Sequence, residues 1–136
     1  MKEIYNLSMQ YATELLVLAF LTITFLQSGI EKVTDWKGSL SYIKSVFEKT
    51  FLKNSIRLAL VVVIIGEIIG GLLCLVGMIQ IYFYDSKTLG LLGAVICAKV
   101  LLALLFGQRV AKDYAGAMTV AVYFGVALFG VWVLSN

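Results

Sequence analysis

The chain has 136 residues, 61% hydrophobic and 14% charged, and its mean hydropathy of +0.97 is far above that of a water-soluble domain. Four membrane spans of about 20 residues each would take about 80 of them, which leaves too little chain for a separate soluble domain. With no histidine, no haem and no metal site is expected; two cysteines exclude a disulfide framework, and a scattered net charge of +3 excludes nucleic-acid binding.

The elements follow from the uncharged runs. Leu15–Ile30 predicts a first span over about 12–30. Glu3 and Glu14 before it, and Gln27, Glu31 and Lys32 after it, do not fit a cleaved signal peptide, so it reads as a retained helix. Trp36, Leu40, Ile43, Phe47 and Phe51 then recur at helical spacing, with Lys37, Lys44, Glu48 and Lys49 falling elsewhere. This predicts an amphipathic helix lying in the membrane interface over about 36–53. Leu58–Tyr84, broken only by Glu67, predicts a second span over about 56–82, and Leu89–Phe106, broken only by Lys99, a third over about 89–107. Tyr114–Asn136 predicts a fourth over about 114–134. The expected fold is one all-α membrane domain over residues 1–136, a four-helix bundle with an interfacial helix between its first two spans.

The first and third connections hold Lys32, Lys37, Lys44, Lys49, Lys53, Arg57, Arg109 and Lys112, against Lys2 and Lys87 on the other side. The positive-inside bias predicts both connections in the cytoplasm and both termini outside. Small residues mark where helices pack closely in lipid: Gly66, Gly70 and Gly71 on the second span, and Ala117, Ala121 and Gly125 on the fourth. Packing within the four-helix unit is expected of them, ahead of a homo-oligomeric contact.

Ionisable groups inside a span are expensive and are candidate sites. Glu67 shares a face with Gly70, Gly71, Cys74 and Met78; it either holds a proton or the polar head of a ligand such as a quinone, or fixes helix register through an ion pair. Lys99 is its possible partner within a span. Folding the chain at Asp85 puts Lys99 about four residues nearer the outside. Yet Lys99 lies roughly 200° around its helix from Cys97, so snorkelling or pairing elsewhere is the other expectation. The same folding brings Cys74 and Cys97 to nearly equal depth, either as possible redox thiols or as buried apolar residues. Gln27, Lys32, Arg109 and Asp113 gather at the expected cytoplasmic end and, with Glu67, form the candidate ligand-binding set.

Three stretches carry a family resemblance: Gln-Ser-Gly-Ile-Glu-Lys-Val-Thr-Asp-Trp at 27–36, Glu-Ile-Ile-Gly-Gly-Leu-Leu-Cys-Leu-Val-Gly at 67–77 and Ala-Lys-Asp-Tyr-Ala-Gly-Ala at 111–117. The chain resembles the DoxX-like family of small four-helix bacterial membrane proteins. Gly29 and Lys32 match its glycine-x-x-lysine signature, and Glu67, Gly70, Gly71 and Gly77 its pattern of an acid with glycines. The resemblance implies an accessory subunit of an inner-membrane redox system, binding quinone or a small acid, rather than a self-sufficient catalyst. No covalently bound cofactor is expected. The alternative is a structural subunit that anchors partner membrane or periplasmic proteins in the bilayer without chemistry; solute transport fits four helices less well.

Overall fold

The structure, a computed structural model, describes residues 11–51 and 53–136. Every regular element among them is helical: α1 (Ala12–Thr34), α2 (Trp36–Phe47), a 3₁₀ turn (Lys53–Ser55), α3 (Ile56–Tyr84), α4 (Thr88–Val110) and α5 (Tyr114–Ser135). The four long helices are each long and apolar enough to cross a membrane. Large apolar side chains cover their outer surface, among them Leu16, Leu58, Val62, Phe106, Met118 and Trp132, as expected where lipid is the solvent.

Local sequence sets the helix ends. Asp85 takes a left-handed conformation (φ 54°), and its N–H donates to the Ile81 carbonyl at 3.1 Å, closing α3. Asp113 caps α5 by accepting from the Gly116 N–H at 3.1 Å. Lys112, also left-handed at φ 62°, turns the chain between α4 and α5.

The bundle is a ring in the order α1, α3, α4, α5, with its tightest seams at α3–α4 and α1–α3. α1 closes the ring on α5, where Val17 packs against Gly130 and Phe20 meets Tyr123 edge-on at 6.0 Å. Leu18, Leu21 and Phe25 of α1, Cys74 and Ile81 of α3, Cys97 and Leu101 of α4, and Ala127 and Leu134 of α5 fill the centre.

Glycine makes the α3–α4 seam possible. A Cβ on Gly77 would run into the backbone of Gly90, and one on Gly93 would lie 2.8 Å from the Cys74 backbone nitrogen. Small residues here allow backbone-to-backbone approach, the main source of helix association in lipid. Gly66 and Gly70 make room in the same seam for the Val100 and Cys97 side chains, and Gly71 makes room for Leu26 of α1. α3 runs through all four of its glycines as one helix.

α2 has no buried residue and presents Trp36, Leu40, Ile43 and Phe47 half-buried along one side. It packs on α3, and the Phe47 ring comes close to Gly107 of α4. It is the amphipathic helix anticipated between the first two spans, ending at Phe47, with Phe51 exposed beyond it.

Candidate functional site

The most polar point inside the bundle is Glu67, on α3 and only 2% exposed. Ser28 and Lys32, one helical turn apart on α1, both reach it. Lys32 Nζ lies 3.1 and 3.2 Å from its two carboxylate oxygens. Ser28 Oγ donates to Oε1 at 3.2 Å while accepting from Lys32. Gly29 places α1 here, since a Cβ on it would stand 2.8 Å from Ile68 Cγ1. Lys32 also occupies the last turn of α1, where a cation is favoured by the helix dipole. Both carboxylate oxygens are thus engaged by donors from one neighbouring helix, the arrangement that makes a buried charge tolerable.

This pairing differs from the one considered with Lys99. The α3–α4 seam sets Gly66 against Val100 and Gly70 against Cys97, which puts Lys99 level with Glu67 rather than four residues above it. α3 overhangs the start of α4 by part of its last turns, as the Gln80 side chain accepting from the Leu89 N–H at 2.9 Å shows, so folding at Asp85 misplaces the register. Lys99 is exposed on the outer side of α4. The cation that meets Glu67 comes instead from α1, where Lys32 belongs to the helix rather than to the membrane boundary.

Cys74 and Cys97 do meet: their sulfurs are 3.9 Å apart and both residues are fully buried. The contact is reciprocal. A Cβ on Gly70 would come within 2.9 Å of Cys97 Sγ, and one on Gly93 within 3.0 Å of Cys74 Sγ, so each thiol lies over a glycine of the opposite helix.

The remaining candidate ligand residues are dispersed. Gln27 is exposed on α1, Arg109 is exposed and stacks on the Tyr114 ring at 4.9 Å, and the Asp113 carboxylate caps α5. The structure brings Lys32 and Glu67 together and leaves these three apart from them. Two surface hollows stand out, and neither reaches the ion pair. One, of about 340 Å³, lies between the end of α2 and the α4–α5 turn, lined in part by Glu48, Lys49 and Lys112; the other, of about 320 Å³, is an apolar groove between α1 and α3 lined in part by Leu15, Met78 and Tyr82.

The small residues of α5 also divide. Ala117 is buried, but Ala121 and Gly125 face outward, and a Cβ on Gly125 would meet nothing within 4 Å. These two do not take part in the packing expected of them within the unit.

Sequence reasoning missed a second polar cluster at the opposite end. Lys87 pairs with Glu14 at 3.3 Å and sits over the Tyr11 ring at 5.4 Å, while the Tyr11 hydroxyl donates to Asp85. That hydrogen bond raises the Tyr11 pKa above its ordinary value. The available signal was Lys87 itself, a cation in the short α3–α4 turn facing the acid in the first turn of α1.

Residues 15–100, well over half the chain, match the sequence profile of the family described as DoxX. The chain belongs to the DoxX family. The matched part contains Lys32, Glu67, both cysteines and Lys99, so the features that organise this DoxX bundle lie inside the family region, while α5 follows it. No curated protein and no solved structure matches the chain.

Proposed function

We propose that this DoxX-family chain is a non-catalytic subunit that anchors or stabilises a larger assembly in the bacterial inner membrane. One observation carries the reading: Glu67, the strongest candidate for ligand chemistry, has both oxygens engaged by Lys32 and Ser28 of α1. A quinone or small acid would have to displace Lys32 to reach it. The buried charges therefore serve the bundle, and the surfaces left for recognition are the outer faces of its helices. Orientation follows the basic residues. Eight of them lie between the last turn of α1 and the start of α3 or at the α4–α5 turn, against Lys87 in the α3–α4 turn and Lys2 ahead of the first span in sequence, which favours α2 on the cytoplasmic surface and both termini outside. The test is purification from native membranes in lipid particles formed without detergent. A defined protein in constant ratio to this chain supports the reading, and a chain recovered alone refutes it.

A second reading, a quinone-linked redox accessory, is favoured by the 3.9 Å approach of the Cys74 and Cys97 sulfurs. Two adjacent thiols form a two-electron couple of the kind a quinone can oxidise, yielding a disulfide and the quinol. This reading requires that added menaquinone or ubiquinone convert the dithiol to a disulfide in lipid; thiols that stay fully alkylatable after such treatment rule it out.

A further inference from the structure

The outer face of α4 carries a charge for which the described residues offer no counterpart. Lys99 is the twelfth of the 23 residues of α4, is exposed, and makes no hydrogen bond or ion pair among the described residues. Two positions away, Cys97 lies in the α3–α4 seam, so Lys99 projects roughly 200° around the helix from the interior. A lysine at the centre of a spanning helix is costly unless it finds a partner or reaches water. The ends of α4 are about 16 Å away along its axis, and a four-carbon stem covers less than half of that.

We propose that this face docks a transmembrane helix of a different protein, and that Lys99 pairs there with a carboxylate carried by that helix near mid-membrane. The inference rests on the anchoring reading and names the kind of partner. A second copy of the chain does not fit, because the described acids are committed, lie at the wrong depth or stand on the far side of the ring. Glu67 and Glu14 are buried in ion pairs, Asp85 accepts from the Tyr11 hydroxyl, Asp113 caps α5, and Asp35 and Glu48 are exposed around α2. Glu31, nearly level with Lys99, is on α1, diagonal to α4 in the ring, where a two-fold contact through α4 does not bring it. Lipid phosphates sit at the bilayer surface, not at its middle.

The rest of the surface suits a helix. Leu92, Leu102 and Phe106 are exposed along the same side of α4 and supply apolar contact above and below the charge. On the neighbouring helix Gly125, like Lys99, is thirteen residues from Lys112 and therefore level with it, and its open surface permits close backbone approach.

The test uses the full-length chain in native membranes. Dicyclohexylcarbodiimide, a lipid-soluble reagent that joins an amine to a carboxylate, is applied and the Lys99 peptide is sequenced by mass spectrometry. The expected product is an amide between Lys99 and an aspartate or glutamate inside an apolar segment of another protein. Lys99→Leu should abolish the product and lower recovery of that protein at least tenfold, while Lys99→Arg retains the protein. Leucine at this exposed position keeps the bundle folded, since it breaks no hydrogen bond or ion pair among the described residues and removes an unfavourable charge. An adduct to an acid of a second copy, an adduct to phosphatidylserine, or no adduct overturns the proposal. A partner retained in full by Lys99→Leu overturns it and leaves the anchoring reading standing, whereas a wild-type chain with no partner refutes both.

Discussion

Replacing Lys32 by methionine would strand the Glu67 carboxylate inside the bundle, and the geometry sets the size of the effect. Lys32 Nζ lies 3.1 and 3.2 Å from the two oxygens, where two unit charges interact by about 5 kcal/mol at an effective dielectric constant near 20. The two partners are unequally placed, with side-chain exposures of 24% for Lys32 and 3% for Glu67. Removing the cation therefore leaves a charge without water, and Lys32→Met should cost about 3–5 kcal/mol of stability. Removing the acid leaves a cation that already touches the surface at a favourable helix end, and Glu67→Gln should cost about 1–2 kcal/mol. The double variant should be more stable than Lys32→Met alone, because no charge is left unpaired. Reversible unfolding in bicelles, followed through Trp36 and Trp132, measures all three. A cost below about 1 kcal/mol for Lys32→Met, or equal costs for the two single variants, would refute the asymmetry.

Other expectations test the seams and the ends. Gly93→Leu should destabilise the bundle by about 2 kcal/mol or more, since overpacking against the Cys74 backbone separates two helices, whereas Gly125→Leu should leave stability within about 0.5 kcal/mol; thermal unfolding in lipid compares them. A membrane-permeant oxidant should join Cys74 to Cys97, read as α3 and α4 staying together after proteolysis in the Asp85–Lys87 turn, and separation of the halves would contradict the observed proximity. Asp113→Ala should cost about 1 kcal/mol through loss of the α5 cap, measured by the same unfolding assay. The Tyr11 hydroxyl, its pKa raised by the bond to Asp85, should ionise above its ordinary value near 10 in an ultraviolet titration, and Asp85→Asn should bring it back down. Because the folded value is the higher one, this contact contributes fully at neutral pH and is lost only as pH rises through the folded-state pKa.

What the sequence made legible follows the physics of each feature. Spans are visible because no other state satisfies twenty apolar residues in lipid, and the opposed directions of Cys97 and Lys99 follow from helix geometry alone. The meeting of the two thiols was readable because both helices belong to one hairpin. The Lys32–Glu67 pair was not, because contact between α1 and α3 depends on an interhelical register separated by α2 and set by Gly29 against Ile68. The outward facing of Ala121 and Gly125 was hidden for another reason. α5 is apolar all round, and when lipid and bundle interior are equally apolar, hydrophobicity carries no mark of which side is which.

The mismatch between α1 and α3 has a consequence for the bilayer. Beyond the Lys32–Glu67 contact α1 has only two more residues, ending at Thr34, while α3 continues eleven more to Ile56. The overhang of about nine residues, roughly 13 Å, is where α2 lies. Among the described residues, one end of the bundle thus carries an amphipathic helix beside its spanning helices and the other end the spanning helices alone. With α2 in the interface, as its apolar side predicts, the described residues would displace unequal areas of the two leaflets. Insertion of such a segment depends on curvature and lipid composition, so an α2 seated in the interface would tie the packing of this bundle to the shape of the membrane that holds it.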